Sequence, residues 1–210
     1  MAGSVVHGKV YTAEVLKPLF EAGLIRRVVD VGAGGGTYVK LLAPVAPGVY
    51  WIAVEAWTPY IADYALDRQY HEVINQDVRE IEFAPSAPDL VLFGDILEHM
   101  TQEQALAVVG KALASAPYVM ISIPIIDYPQ HELEGNPFQR HVKEDWSHSE
   151  VCASFPDTVV TCLVHNSIGV YFLTRQQQAR QRLIETHRRV APAIKERFSK
   201  EIVIFGDTGS

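Results

Sequence analysis

The feature that most restricts what this chain can fold into is residues 27–42, RVVDVGAGGGTYVKLL. A β-branched run, Val28, Val29 and Val31, carries one acid, Asp30, and leads into a block of Gly and Ala at 32–36. Apolar residues then return at helical spacing, at Tyr38, Val39, Leu41 and Leu42. The pattern is strand, tight loop, helix. Glycines let the backbone approach a ligand and take dihedrals closed to other residues, and the following helix points its amino end at that ligand. The stretch predicts a cofactor at the carboxyl end of a strand in a doubly wound α/β sheet.

Spacing separates the cofactor classes. A dinucleotide fingerprint needs Gly-x-Gly-x-x-Gly, but its third position falls on Thr37 counted from Gly32 and on Val39 counted from Gly34. A Gly-Lys-Ser/Thr phosphate loop is absent. The chain reads Asp30-x-Gly32-x-Gly34-x-Gly36. In this it resembles the class I S-adenosylmethionine-dependent methyltransferases of small-molecule type, whose first motif is (Asp/Glu)-x-Gly-x-Gly-x-Gly. The resemblance implies a Rossmann-like, doubly wound sheet of seven strands, mostly parallel with an antiparallel final strand and helices on both faces. It implies S-adenosyl-L-methionine as cofactor, S-adenosyl-L-homocysteine as its product, and cofactor contacts from Asp30, Gly32, Ala33, Gly34 and Gly36.

Later segments extend the pattern. Residues 50–55, YWIAVE, read as a strand buried on both faces that ends in Glu55. A carboxylate about twenty residues past the glycines can take both hydroxyls of a ribose. The resemblance adds Ala56 and Trp57 beside that acid, although Trp57 suits the core equally. It places Asp77 and Val78, after a short strand at 72–76, against the adenine. Gly94 and Asp95 open GDILEHM, 94–100, which resembles the D-V-L-E-H form of the family and borders methyl donor and acceptor. A helix is expected over 57–70, and another over 101–114 with a Thr101/Gln104 capping box. Strands at 158–164 and 170–174 resemble the hairpin that closes the family's sheet. The resemblance runs from about Tyr11, expected either in the cleft or against the sheet, to Thr174.

A chain of 210 residues suggests one domain, 1–210. Its net charge of −7, from 18 basic and 25 acidic residues, disfavours a nucleic-acid backbone as the main partner. Cys152 and Cys162 form neither a C-x-x-C nor a zinc pattern. The apolar runs are too short for a membrane span, and 1–8 does not read as a signal peptide, so a cytoplasmic protein is expected. Residues 175–210 are an expected C-terminal appendage: a solvated helix broken at Pro192, then the strand-like 202–205. That tail could pair at a sheet edge or contact a second subunit, which leaves a homodimer open.

Residues 124–156 are irregular yet rich in His and aromatics, and are expected to be the acceptor-binding lid. Transfer from a sulfonium is an in-line displacement that rests on positioning. A hydroxyl acceptor also wants a base, for which histidine is the usual group near neutral pH. His131 and His148 are the preferred candidates, although a single histidine is more often structural. His99 is expected to support the loop after the fourth strand. Asp95, Asp127, Glu132 and Glu134 could offer oxygen ligands, but no spacing is diagnostic and the histidines match no compact zinc motif, so no metal is expected. The expected function is methylation of a small-molecule acceptor at a hydroxyl oxygen. The alternatives are an N-methyltransferase, a protein- or nucleic-acid-directed enzyme, and a non-catalytic cofactor-binding module.

Overall fold

The computed structural model describes residues 6–165, 167–198 and the backbone of 203–206. The strands are β1 (Arg27–Val31), β2 (Tyr50–Val54), β3 (Glu72–Ile74), β4 (Leu90–Gly94), β5 (Tyr118–Pro124), β6 (Val159–Val164), β7 (Ile168–Leu173) and β8 (Val203–Gly206). They form one sheet in the order β3-β2-β1-β4-β5-β7-β6-β8. The first five pair in parallel, and β7 is antiparallel to both β5 and β6. This is the expected seven-stranded sheet with its reversed strand. The count of seven needs one correction: β8 adds an eighth strand antiparallel to β6, with Cys162 opposite Phe205. The pairing left open to a second subunit is thus made within the chain. Ile202, the first residue of the expected tail strand, lies outside the described residues.

The sheet is buried on both sides, which is why β1 is apolar without strict alternation. Val28 belongs to one core, and Val29 and Val31 to the other. On the first face pack α1 (Val6–Glu21), α2 (Thr37–Leu42) and α7 (Gln177–Phe198); on the second packs α5 (Gln102–Ser115), its start fixed by the reciprocal Thr101–Gln104 capping box. Because β1 lies between β2 and β4, the chain order reverses there and leaves a crevice at the carboxyl ends of these strands.

Two helices run through prolines, one of which, Pro192, was expected to break its helix. Pro18 lies inside α1 and Pro192 inside α7. An interior proline costs about 3 kcal/mol. Each buried large apolar side chain returns about 1.5–3 kcal/mol, and the two helices bury Val15, Leu16, Leu19, Leu183, Val190 and Ile194 between themselves and the sheet. Residues 177–198 are therefore a core helix and not a solvated one. Tyr11 lies in the same layer, fully buried, with its hydroxyl 2.8 Å from Nδ1 of His187. It packs on Phe172 and does not reach the crevice.

The expected helix over 57–70 is split. Ala65 takes a left-handed φ of 49°, which separates α3 (Thr58–Asp63) from α4 (Leu66–Gln69). The break buries Leu66 and brings the Tyr70 hydroxyl within 2.6 Å of Asp30 Oδ2. Residues 124–156 also differ from one continuous lid. A 3-10 turn, Pro137–Gln139, reaches the crevice, whereas Trp146, Val151 and Phe155, around α6 (His148–Ser154), are buried in the core beside α5.

Candidate active site

The glycine loop is shaped by positive backbone angles. Gly32, at φ 66°, donates its N–H to Val54 O at 2.8 Å, and a Cβ there would lie 1.8 Å from Cδ1 of Ile96. Gly34, at φ 48°, donates its N–H to Glu55 Oε2 at 2.9 Å. A Cβ on Gly34 would meet nothing closer than Gly32 O at 3.7 Å, so a larger side chain would grow into open space. Gly36 closes the loop and starts α2 from a left-handed turn.

Glu55 is nearly buried, yet both of its oxygens are engaged. Oε1 accepts from the Trp57 N–H at 2.9 Å while Oε2 holds Gly34, and Asn75 Nδ2 pins the Glu55 carbonyl at 2.8 Å. Burial pushes the Glu55 carboxyl up, and the N–H groups of Trp57 and Gly34 pull it down. Each oxygen keeps a further lone pair for a hydroxyl donor.

The loop and Glu55 open on a cleft at the carboxyl ends of β1, β2 and β4. Of the residues singled out in the sequence, Gly32, Gly34, Glu55, Ala56, Asp77, Val78 and His99 line it. Asp77 caps the turn at 78–80 and pairs with Arg79. Burial pulls its carboxyl up, but Arg79 holds it below the usual range. Asp30, Ala33, Gly36, Trp57, Gly94 and Asp95 are not among its lining residues. Asp30 is buried under Tyr70, and Gly94 lies against the Tyr38 ring. Asp95 takes a φ of 57° and accepts from Ser122 Oγ at 3.0 Å. Tyr60 joins the lining although no motif singled it out, whereas Ile96 and Met100 come from the GDILEHM segment and Phe138 from the expected lid. An Asn-Pro turn at 136–137 was visible, but not which way it faces.

The two preferred histidines are elsewhere. His131 is exposed and absent from the cleft. His148 stacks on Tyr171, with Nδ1 3.0 Å from its hydroxyl, because α6 is drawn against the sheet by Trp146 and Val151. Among the described residues, His99 is the histidine that lines the cleft. Its Nδ1 is 3.1 Å from Arg140 O, and its ring centroid is 4.9 Å from that of His141. Burial, with a smaller contribution from His141, lowers the His99 pKa to about 4. His141 is buried behind it, with Nδ1 2.5 Å from Tyr128 O. Glu98 is 3% exposed, and its Oε2 has no hydrogen-bond partner. Burial, and then the charge of Asp95, lift its carboxyl well above the usual range.

A family model described as a methyltransferase domain matches residues 29–121, from within β1 to within β5. The matched segment contains the glycine loop, Glu55, Asp77 and the loop bearing His99. Over those residues the chain is similar to a methyltransferase domain. The fold is similar to that of the N-terminal domain of EvdMO1, solved with S-adenosylhomocysteine bound. The TM-score is 0.61 at 16% identity, over 80% of this chain and 81% of that one. A putative O-methyltransferase from Nostoc punctiforme PCC 73102 is similar at TM-score 0.53 and 18% identity, over 77% and 55%. The mitomycin 7-O-methyltransferase MmcR is similar at TM-score 0.54 and 14% identity, over 80% and 52%. The chain thus spans about half the length of the last two. No curated protein matches the sequence. Among the described residues, no helix is long and apolar enough to cross a membrane.

Proposed function

We propose that the chain transfers a methyl group from S-adenosylmethionine to a hydroxyl oxygen of a small-molecule acceptor. The observation that carries this is Glu55, a buried strand-end carboxylate held against the cleft by the N–H groups of Gly34 and Trp57. It is set to accept from the two ribose hydroxyls, with the adenine toward Asp77 and Val78. When bound, the cofactor supplies a methyl on a sulfonium, which passes to the acceptor oxygen as the carbon–sulfur bond breaks and S-adenosylhomocysteine is left. Gly32 and Gly34 keep the floor free of side chains. Ile96, Met100 and Phe138 exclude water from the transfer path. The similarity to EvdMO1's domain with S-adenosylhomocysteine supports the cofactor. The O-methyltransferase names of the other two structures support oxygen as the acceptor atom.

His99 stands at the end of the cleft that faces the 136–139 turn. A base of pKa about 4 takes little proton from a hydroxyl near pH 7, so His99 does not inherit the role expected of His131 or His148. The acceptor's proton leaves to solvent at the cleft mouth. The test is transfer of labelled methyl from S-adenosylmethionine to a panel of phenols, sugars, amines and peptides. Turnover confined to hydroxyl compounds is expected. Turnover only on amines or peptides contradicts the choice of acceptor.

A further inference from the structure

We propose that Glu98, His99 and His141 form a binding site for a first-row transition-metal dication on the wall of the cleft. This rests on the methyl-transfer reading only for what the ion would do there, not for its binding. A carboxylate oxygen of Glu98 and one ring nitrogen from each histidine lie within 4.8 Å of one another. Around a tetrahedral ion such atoms are roughly 3.3 Å apart, so a small contraction closes the set.

Three features go beyond proximity. First, the Nδ1 of each ring faces a backbone carbonyl, Arg140 O for His99 and Tyr128 O for His141. A carbonyl only accepts, so each Nδ1 carries the hydrogen and each neutral ring keeps its lone pair on Nε2. Metal-binding imidazoles are held in this way, with the second nitrogen donating to a carbonyl or carboxylate. Second, Glu98 Oε2 is buried with no partner, which is costly for a carboxylate unless a cation joins it. Third, the backbone fixes the ligands from both sides. The Val142 and Lys143 N–H groups donate to Glu98 O at 2.8 and 3.1 Å, and the His141 N–H donates to Gln130 O at 2.9 Å. The loop after β4 and the base of the 136–139 turn are thereby stitched together around the three side chains.

Two imidazoles with one carboxylate favour zinc, iron(II), cobalt(II) or manganese(II) over magnesium or calcium, which prefer all-oxygen sets. Three protein ligands leave coordination open, as catalytic sites do, and His99 lines the cleft. An ion there would draw an acceptor oxygen to that end of the cleft and lower the hydroxyl's pKa.

The experiment uses the full chain, free of affinity tag and stripped with chelator. Zn²⁺ and Co²⁺ are titrated by calorimetry, and the cobalt form is read by visible absorption. S-adenosylhomocysteine binding is measured on the same samples. One equivalent per chain is expected, with cobalt d–d bands, and Glu98→Gln and His141→Gln should each weaken binding by roughly a hundredfold while cofactor binding persists. Absence of stoichiometric Zn²⁺ or Co²⁺ binding overturns the site, as does binding that both variants leave unchanged. Mg²⁺ displacing Zn²⁺ at equal concentration overturns the choice of ion. Cofactor binding without metal binding leaves the methyl-transfer reading standing and removes only this site. Metal binding that responds to the variants, without cofactor binding, does the reverse.

Discussion

At the scale of single residues the account rests on two carboxylates with different duties. Glu55 is the proposed cofactor ligand. Glu55→Ala should weaken S-adenosylmethionine binding by on the order of 2–3 kcal/mol, and Glu55→Gln by less, since one acceptor remains. Calorimetry on folded variants decides this, and equal affinities would remove Glu55 from the ribose. Asp30 is structural in its contacts. Burial lifts its pKa to about 7 against the Tyr70 hydrogen bond, and the charge of Glu55 adds to the rise. Folded Asp30 therefore keeps a proton that the unfolded chain gives up near pH 4. That stabilisation is complete below about pH 4 and is lost as the pH rises through 7. Asp30→Asn does not titrate, so wild type should lose roughly 4 kcal/mol relative to it between pH 4 and pH 8. Urea unfolding of both proteins across that range measures the difference, and a flat difference contradicts the buried, protonated state.

At the scale of elements, legibility follows how local the deciding physics is. The glycine loop, the strand ending at Glu55 and the capping box of α5 depend on neighbours within a few residues, and each could be read from the sequence. Thr101→Ala should accordingly cost about 1 kcal/mol, seen as a lower urea midpoint, because the hydrogen bond from the Gln104 N–H to the Thr101 hydroxyl oxygen is lost. An unchanged midpoint would mean that the cap is dispensable. The 124–156 segment was misread because its division depends on distant packing. Trp146, Val151 and Phe155 bury against α5 and carry His148 away, while 136–139 turns toward the cleft. The same holds for α7, whose buried face is recognisable only once α1 lies beside it. The E-H pair at 98–99 was visible, but nothing local joins it to His141.

At the scale of the molecule, the order β3-β2-β1-β4 places the carboxyl ends of three strands around one crevice, and the matched domain spans the elements that build it. β8 lengthens the sheet without touching that crevice. The central claim is that the glycine loop and Glu55 seat S-adenosylmethionine. Gly34→Asn tests it most directly, because asparagine tolerates the φ of 48° that a β-branched residue does not, its Cβ meets no protein atom closer than 3.7 Å, and its side chain would extend into the cleft. Calorimetric titration of S-adenosylmethionine should show binding to wild type and at least a roughly hundredfold loss in the folded variant. Equal affinity in the two proteins, or binding of NAD in place of S-adenosylmethionine, would contradict the account.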